Sequence, residues 1–318
     1  MGGFWDAVLF AVGVTVPSIL LLFFGVVLRR SGQINNDFCA QASKLVFNYG
    51  LPTLLFVNLL KGEIHYGEQA LLLLAGIVST LLLYVGAELY AWKFVPQKRD
   101  KGVFVQGVFR SNLGVMGLAF VQNAYGGSGL AAGAVYTGVV TILFNILAVI
   151  TLSRSDEGSW GGKLRLISFK IITNPLIVAI VAALVLQALH VKVPQPILQT
   201  AQYVGNISLP LALICAGAIF DMKSMFKMSD ISLQASIGRL VVAPLVAVGV
   251  GLVFGLSGVA MGVLYLMTAT PVAATSYVMA KVMGGNDVAA ANITGITTFG
   301  AMFSAAVGIV VLRSMGLM

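Results

Sequence analysis

Apolar residues run along this chain in long blocks that short polar segments separate. Ten blocks reach or approach the length of about 20 residues that a helix needs to cross a hydrocarbon core of about 30 Å. The blocks lack the alternation of polar and apolar positions found in membrane barrels, so they predict helices. The ten predicted spans cover residues 6–28, 38–60, 68–92, 102–124, 128–152, 166–189, 196–220, 231–255, 258–281 and 288–312.

The second half of the chain repeats the first at a constant offset of 158 residues. Asn48-x-x-Leu51-Pro52 aligns with Asn206-x-x-Leu209-Pro210, and Pro17 aligns with Pro175. Because each half holds five spans, an odd number, the second copy enters the bilayer in the opposite orientation. Inverted repeats are the architecture of secondary transporters, and their substrate site lies where the copies meet. We therefore predict an all-α polytopic membrane protein with a first five-helix repeat at 1–152, a short polar link at 153–163 and a second, inverted five-helix repeat at 164–318.

Composition agrees with a membrane protein and the charges predict its orientation. The chain is 58% hydrophobic and only 9% charged, whereas a soluble domain is about 25% charged. If the N-terminus is outside, three basic residues lie in outer loops, namely Lys61, Lys192 and Arg313. The inner loops then hold fourteen: Arg29, Arg30, Lys44, Lys93, Lys98, Arg99, Lys101, Arg154, Lys163, Arg165, Lys170, Lys223, Lys227 and Lys281. This fourteen-to-three distribution predicts that both termini lie outside a plasma (inner) membrane. It also accounts for the net charge of +8 without a nucleic-acid partner.

The fourth and ninth spans both carry helix-breaking residues and a polar cluster near their middle. The fourth contains Ser111, Asn112, Gly114 and Gly117, and the ninth contains Thr268, Thr270, Pro271, Thr275 and Ser276. Proline removes a backbone hydrogen bond, and glycine removes a side chain that would stiffen the helix. One interpretation is that each break only kinks its helix. The other is a shared substrate cavity, which we favour because Asn112 and Thr270 are equivalent in the repeat.

The chemistry of two such breaks favours a negatively charged ligand. Each half-helix that starts after a break presents unpaired N–H groups and the positive end of its dipole. Arg110 adds a positive charge roughly 13 Å from the cytoplasmic edge. Arg110 either contacts the anion or pairs with Glu88 of the third span. Arg239, early in the eighth span, either snorkels towards the interface or caps broken backbone.

Asparagines supply further candidates, because Asn48 and Asn206 each stand four residues before a proline. Each either donates to a carbonyl that the proline leaves free or lines the cavity. No catalytic residue, cofactor or metal site is predicted, and the cysteines Cys39 and Cys215 are interpreted as packing residues. The predicted substrate-binding residues are Arg110, Ser111, Asn112, Gly114, Asn145, Thr270, Pro271, Thr275, Ser276, Asn48 and Asn206, and the predicted structural hinges are Gly117, Pro52 and Pro210.

Two motifs resemble those of the auxin efflux carrier family, which includes plant PIN auxin exporters and bacterial malate and malonate permeases of the bile/arsenite/riboflavin transporter superfamily. The stretch Asn112-Leu-Gly-Val-Met-Gly-Leu-Ala-Phe-Val-Gln-Asn-Ala-Tyr125-Gly126 is similar to the family's fourth-helix signature. The stretch Pro271-Val-Ala-Ala-Thr-Ser-Tyr-Val-Met-Ala280-Lys281 is similar to its ninth-helix segment. The resemblance implies ten helices of which the fourth and ninth cross at their breaks. It also implies a scaffold of helices 1, 2, 6 and 7, commonly dimeric, and a mobile bundle of helices 3–5 and 8–10.

The resemblance further implies a secondary transporter for a small organic anion, a mono- or dicarboxylate or an auxin-like compound. The short link from Ser153 to Gly162 favours a bacterial-type permease. Related sodium-coupled bile-acid symporters carry a sodium-binding acid in the ninth helix, and residues 258–280 contain no Asp or Glu. Proton coupling would have to rest on Glu88, Asp6 or the substrate. The expected partners are the anion, membrane lipid and a second copy of the chain.

Two other functional classes remain as alternatives. A passive channel or a membrane sensor would differ from a transporter in lacking saturable, coupled flux. The second alternative is an intramembrane protease, because Gly126-Gly127-Ser128-Gly129 resembles the nucleophile turn of rhomboid-type enzymes. A serine nucleophile needs a base within hydrogen-bond reach, and the only histidines, His65 and His190, lie at span ends. The chain is therefore predicted not to be an enzyme.

The predicted orientation can be checked with single cysteines. We expect Gln97→Cys and Ser159→Cys to be shielded from an impermeant thiol reagent in intact cells, and Lys192→Cys to react, because the basic loops lie inside. Labelling of Ser159→Cys before Lys192→Cys would reverse the predicted topology.

Overall fold

The architecture was obtained as a computed structural model that describes residues 2–61, 66–152, 169, 172–191, 193–219 and 230–318. Within these residues the regular structure is helical, and the one extended pairing is an isolated bridge between Ser111 and Val272. The prediction of an all-helical protein is confirmed for this part of the chain. The predicted link at 153–163 lies outside the described residues.

The described α-helices are numbered α1 to α13 in chain order. They are α1 (Gly2–Arg30), α2 (Asn36–Leu45), α3 (Leu51–Lys61), α4 (Tyr66–Phe94), α5 (Lys98–Phe109), α6 (Leu118–Leu152), α7 (Pro175–Ala188), α8 (Gln195–Ala218), α9 (Asp230–Ile237), α10 (Ala243–Val253), α11 (Gly258–Thr268), α12 (Thr275–Val282) and α13 (Asp287–Ser314). Wider, π-helical turns occupy Val46–Gly50, Leu113–Gly117 and Gly238–Val242.

Six helical segments of the described chain are long and apolar enough to cross a membrane. They are Gly3–Arg30, Gln69–Phe94, Leu113–Leu152, Gln195–Ala218, Asp230–Val253 and Asp287–Ser314. Two shorter apolar helices, α7 and α11, contain 14 and 11 residues. The protein is accordingly a multi-pass membrane protein.

The fourth and ninth predicted spans are each divided. α5 ends at Phe109 and helical structure resumes at Leu113, whereas α11 ends at Thr268 and α12 begins at Thr275. Pro271 explains the second division, because it has no N–H to donate and its ring clashes with the preceding turn. Gly126 separates the fourth span from the fifth inside α6, since its φ of 61° is available to glycine at little cost.

The helices pack in two groups that meet where α6 and α13 contact α1 and where α6 contacts α3 and α7. In one group α1 lies against α8, and α3 lies between α7 and α8. The α1–α8 contact is so close that a methyl group on Gly25 would overlap the backbone of Ile214, and one on Gly217 would overlap the backbone of Leu22. Small residues permit this approach between membrane helices. The other group joins α4, α5 and α6 to α9–α13 and contains the two breaks.

Candidate functional site

The two broken segments pair with each other. The Asn112 N–H donates to the Pro271 carbonyl at 2.9 Å, and the Ala273 N–H donates to the Arg110 carbonyl at 3.3 Å. These bonds flank the antiparallel bridge that joins Ser111 and Val272. A membrane interior offers no water to satisfy broken backbone, so each break supplies partners for the other. We call this paired region, residues 110–112 and 271–273, the crossover.

Two N–H groups at the breaks bond outside their own helices. In a continuous helix the Asn112 N–H would bond to the Val108 carbonyl, and the Val272 N–H to the Thr268 carbonyl. The first donates to Pro271 instead, and the second donates to Thr297 Oγ1 of α13 at 3.1 Å. The C-terminal ends of α5 and α11 therefore each need another donor.

Arg239 supplies both missing donors. Its Nη1 donates to the Val108 carbonyl at 3.0 Å and its Nη2 donates to the Thr268 carbonyl. The side chain is 0% exposed and comes from the π-helical turn Gly238–Val242. Complete burial excludes the snorkelling alternative, so the capping alternative describes this residue. One guanidinium thus ties the ends of two broken helices to a third helix.

The predicted residues at the crossover differ in exposure. Ser111, Thr270, Pro271 and Ser276 are buried, Asn112 and Gly114 are partly exposed, and Thr275 is exposed. The Thr270 hydroxyl donates to the Met267 carbonyl at 3.1 Å. Within the described part of the chain, the Ser276 hydroxyl is buried without a hydrogen-bond partner, and the Asn112 amide side chain makes no hydrogen bond. The described part of the protein therefore leaves the hydrogen-bonding capacity of these two groups unused.

A cavity of about 400 Å³ lies between α1, α3, α6 and α8, and the crossover residues themselves do not line it. Its polar lining consists of neutral side chains, since amides and one hydroxyl supply it. The lining residues are Pro17, Ser18, Leu21, Leu54, Asn58, Ala119, Gln122, Asn123, Gly127, Gln202, Gly205, Asn206, Leu209, Pro210 and Leu213. Of the predicted site residues, Asn206 and Pro210 line it. We call it the amide cavity.

Sequence similarity gives this geometry a family context. The chain matches the model of a family described as "Membrane transport protein" over residues 10–156 and 163–309. The chain belongs to this family. It is the auxin efflux carrier family that the motifs resemble, so the resemblance is confirmed.

Similar proteins occur in bacteria and archaea. The chain is 24% identical over 284 residues to "Uncharacterized transporter YfdV" of Escherichia coli K12, which covers 86% of this chain and 88% of that protein. It is also 24% identical over 273 residues to an "Uncharacterized transporter" of Methanothermobacter thermautotrophicus, covering 84% and 87%. The likeness therefore extends over most of each chain.

Arg110 lies inside the helix bundle of this family member, next to the crossover. It is buried, its Nη2 donates to Asn145 Oδ1 at 3.1 Å, and its Nη1 lies 2.8 Å from Met279 Sδ. Glu88 accepts a hydrogen bond from the Thr151 hydroxyl at 2.7 Å. The guanidinium is thus held by neutral groups, and pairing with Glu88 is not the arrangement found among the described residues.

The two repeat-equivalent asparagines occupy different surroundings. Asn206 Oδ1 accepts from Gln202 Nε2 at 2.8 Å and lines the amide cavity. Asn48, which is exposed like Asn206, lies in the π-helical turn Val46–Gly50 and does not line this cavity. The structure therefore brings Asn206, but not Asn48, to the cavity.

Gly117, a predicted hinge, lies where α11 packs closely on the fourth span. A methyl group there would come within 2.6 Å of Met267 Sδ and 3.6 Å of Thr270 Cγ2. Its small size is thus explained by packing at the crossover. Pro52 is buried at the start of α3, and Pro210 lies inside α8.

Sequence reasoning missed four amide residues of the cavity, Asn58, Gln122, Asn123 and Gln202. Asn58 Nδ2 donates to the Leu54 carbonyl at 2.8 Å, and Asn123 Nδ2 donates to the Val14 carbonyl at 2.9 Å. The available signal was the presence of uncharged amides within apolar spans. The sequence does not show that these residues line one cavity, because α1, α3, α6 and α8 are distant in the sequence.

A double-mutant cycle distinguishes the partners of Arg110. Arg110→Met and Asn145→Leu should be coupled by at least about 0.5 kcal/mol, because they remove one buried hydrogen bond. Arg110→Met and Glu88→Gln should instead be additive within about 0.5 kcal/mol. The measurement is the unfolding free energy of each single and double variant, purified in the same detergent. Stronger coupling of Arg110 to Glu88 than to Asn145 would restore the ion-pair hypothesis.

Proposed function

We propose that the protein is a secondary transporter that moves a small organic anion, a mono- or dicarboxylate, across the plasma membrane by alternating access. The observation that carries this proposal is the crossover, where two broken helices and two buried arginines meet. Membership of a membrane transport family supports the transport function. The anionic substrate is our inference from the charges of the site.

The helix ends at the crossover favour an anion. The helical segments after the breaks begin at Leu113 and Thr275, so their first N–H groups and the positive ends of their dipoles face the break. Each such end stabilises an anion by about 0.3 to 1 kcal/mol. The opposite, negative ends of α5 and α11 are capped by Arg239. The positive ends are therefore left to act on a ligand.

Arg110 strengthens the same preference. Its guanidinium is buried against an amide oxygen and a thioether, which do not neutralise its charge. In a medium of low dielectric constant the field of such a charge reaches further than in water. We infer that Arg110 acts on the substrate through this field, with Asn112 and Ser276 as the hydrogen-bonding groups closest to the breaks.

The amide cavity provides a route to the crossover. Its volume of about 400 Å³ suits a small organic acid. Ala119, Gln122 and Asn123 lie on α6, which continues from the helical turn that starts at the break, so the cavity follows this helix away from the crossover. Amide N–H groups there would donate to a carboxylate without holding it as tightly as a charged residue. A site that must release its ligand benefits from such weaker contacts.

The helix groups suggest how access would alternate. In this proposal ten spans form two inverted repeats, α1–α3, α7 and α8 form the scaffold, and α4–α6 with α9–α13 form the moving bundle. The amide cavity lies between α6 of the bundle and α1, α3 and α8 of the scaffold, where relative motion would open or close it. Both termini outside and dimerisation through the scaffold belong to the same proposal.

A binding screen tests the substrate class. We expect at least one carboxylate in a panel of mono- and dicarboxylates and auxins to stabilise the purified protein by about 2.7 kcal/mol at about 100 times its dissociation constant. Its neutral amide should not, because the site selects negative charge. The measurement is thermal unfolding in detergent. Equal stabilisation by an acid and its amide would contradict the anion proposal, and flux without saturation in reconstituted vesicles would indicate a channel.

Substitution of single asparagines tests the location of the site. Asn112→Ala and Asn206→Ala should each lower the affinity for the stabilising carboxylate roughly 2- to 10-fold, the effect of one neutral hydrogen bond. Asn48→Ala, the repeat mate of Asn206, should have a smaller effect because Asn48 lies away from the cavity. Uptake by reconstituted vesicles as a function of substrate concentration gives the affinities. A larger loss from Asn48→Ala than from Asn112→Ala and Asn206→Ala would move the site elsewhere.

A further inference from the structure

The carbonyl ends of α5 and α11 form a position suited to a cation. The last carbonyls of a helix have no intrahelical donor and carry the negative end of its dipole. In transporters with discontinuous helices, such ends and unwound carbonyls coordinate the coupling ion. In this protein the Val108 and Thr268 carbonyls belong to different broken helices and converge on one point. A positive charge at that point stabilises both ends at once.

Arg239 already occupies this position. Its guanidinium bonds to both carbonyls, the side chain is completely buried, and both acceptors are uncharged backbone groups. Residues 258–280, which contain α11, the break and most of α12, include no Asp or Glu that could hold a metal ion. The turn that carries Arg239 is π-helical, and Pro244 follows it within two residues of its end.

We propose that Arg239 is a permanently bound cation of the crossover, which takes the place of a coupling metal ion and makes anion binding independent of sodium and potassium. The guanidinium neutralises the negative ends of α5 and α11, so the positive ends of the following helices determine the field at the substrate. Arg239 is a positioning residue, because it acts through the helix ends it holds. This inference rests on the proposed anion transport.

Two substitutions separate the charge of Arg239 from its volume. Arg239→Ala leaves a space that a free guanidinium ion fits, whereas Arg239→Met fills much of the space with an uncharged chain. The measurement is thermal unfolding of purified protein in choline, sodium, potassium and guanidinium chloride, at equal chloride and with guanidinium kept well below denaturing levels. Wild type should unfold at nearly the same temperature in all four salts. Arg239→Ala should lose several degrees and recover most of them in guanidinium, whereas Arg239→Met should not recover.

A second series of measurements uses the carboxylate that most stabilises wild type. The carboxylate should raise the unfolding temperature of wild type equally in choline, sodium and potassium chloride. Arg239→Ala should lose this increase and regain it when guanidinium is added. If Arg239→Ala does not fold, the pair Arg239→Lys and Arg239→Gln replaces it: lysine keeps the charge and should retain the increase, and glutamine should lose it.

Several outcomes would overturn the proposal. Equal effects of guanidinium on Arg239→Ala and Arg239→Met would make Arg239 a packing residue. A full response of Arg239→Met or Arg239→Gln to the carboxylate would show that the charge is unnecessary, and a wild-type response that needs sodium would show that a metal ion is used. If no carboxylate stabilises wild type, the proposed function fails, and the recovery of Arg239→Ala in guanidinium still decides whether a cation is held at the two carbonyls.

Discussion

A backbone N–H or carbonyl left without a partner inside a membrane costs several kcal/mol, and two helices of this protein are broken within their predicted membrane spans. The structure meets this constraint by pairing the breaks through Asn112, Pro271, Ala273 and Arg110. Thr297 accepts a hydrogen bond from the remaining Val272 N–H. Arg239 donates to the remaining carbonyls at the ends of α5 and α11. Helices α5, α9–α11 and α13 are consequently tied to one another at a single place. Loss of the Arg239 guanidinium would leave carbonyls of two helices without this donor.

The same constraint explains why two arginines are tolerated inside the bundle. A buried charge is costly unless hydrogen bonds replace its lost hydration. Arg239 is stabilised by the negative ends of two helices. Arg110 has neutral side-chain partners, namely the Asn145 amide oxygen, the Met279 thioether and the Gln106 amide oxygen. In the proposed function the two arginines have separate roles: Arg239 caps the helix ends at the crossover, and Arg110 acts on the substrate. Because Arg239 caps only the negative helix ends, the positive helix ends at the crossover stay uncapped.

The amide cavity complements this arrangement. Neutral donors and acceptors line it on α1, α3, α6 and α8. In the proposed function they bind the anion more weakly than the charges at the crossover do. On one side of the cavity α1 and α8 pack with their backbones in close contact at Gly25 and Gly217. The opposite wall, on α6, is continuous with the broken helix. In the proposed mechanism a shift of the broken helices relative to the scaffold would therefore change the shape of the cavity.

The sequence by itself determined the helical, membrane-spanning character of the chain, the positions of the two breaks and the family, because apolar run length, proline, glycine and local motifs are properties of neighbouring residues. It also identified Arg110, Arg239, Asn112 and Thr270 as polar or charged residues inside predicted membrane spans. Only the tertiary structure decided their partners. Arg239 bonds to Val108, 131 residues away, and to Thr268, 29 residues away. Arg110 donates a hydrogen bond to Asn145 and, in the described part of the chain, does not pair with Glu88. Asn48 and Asn206 are equivalent in the repeat, yet one lines the cavity and the other does not. Such contacts depend on how helices rotate and cross when they pack, and a hydropathy pattern contains no information on that geometry.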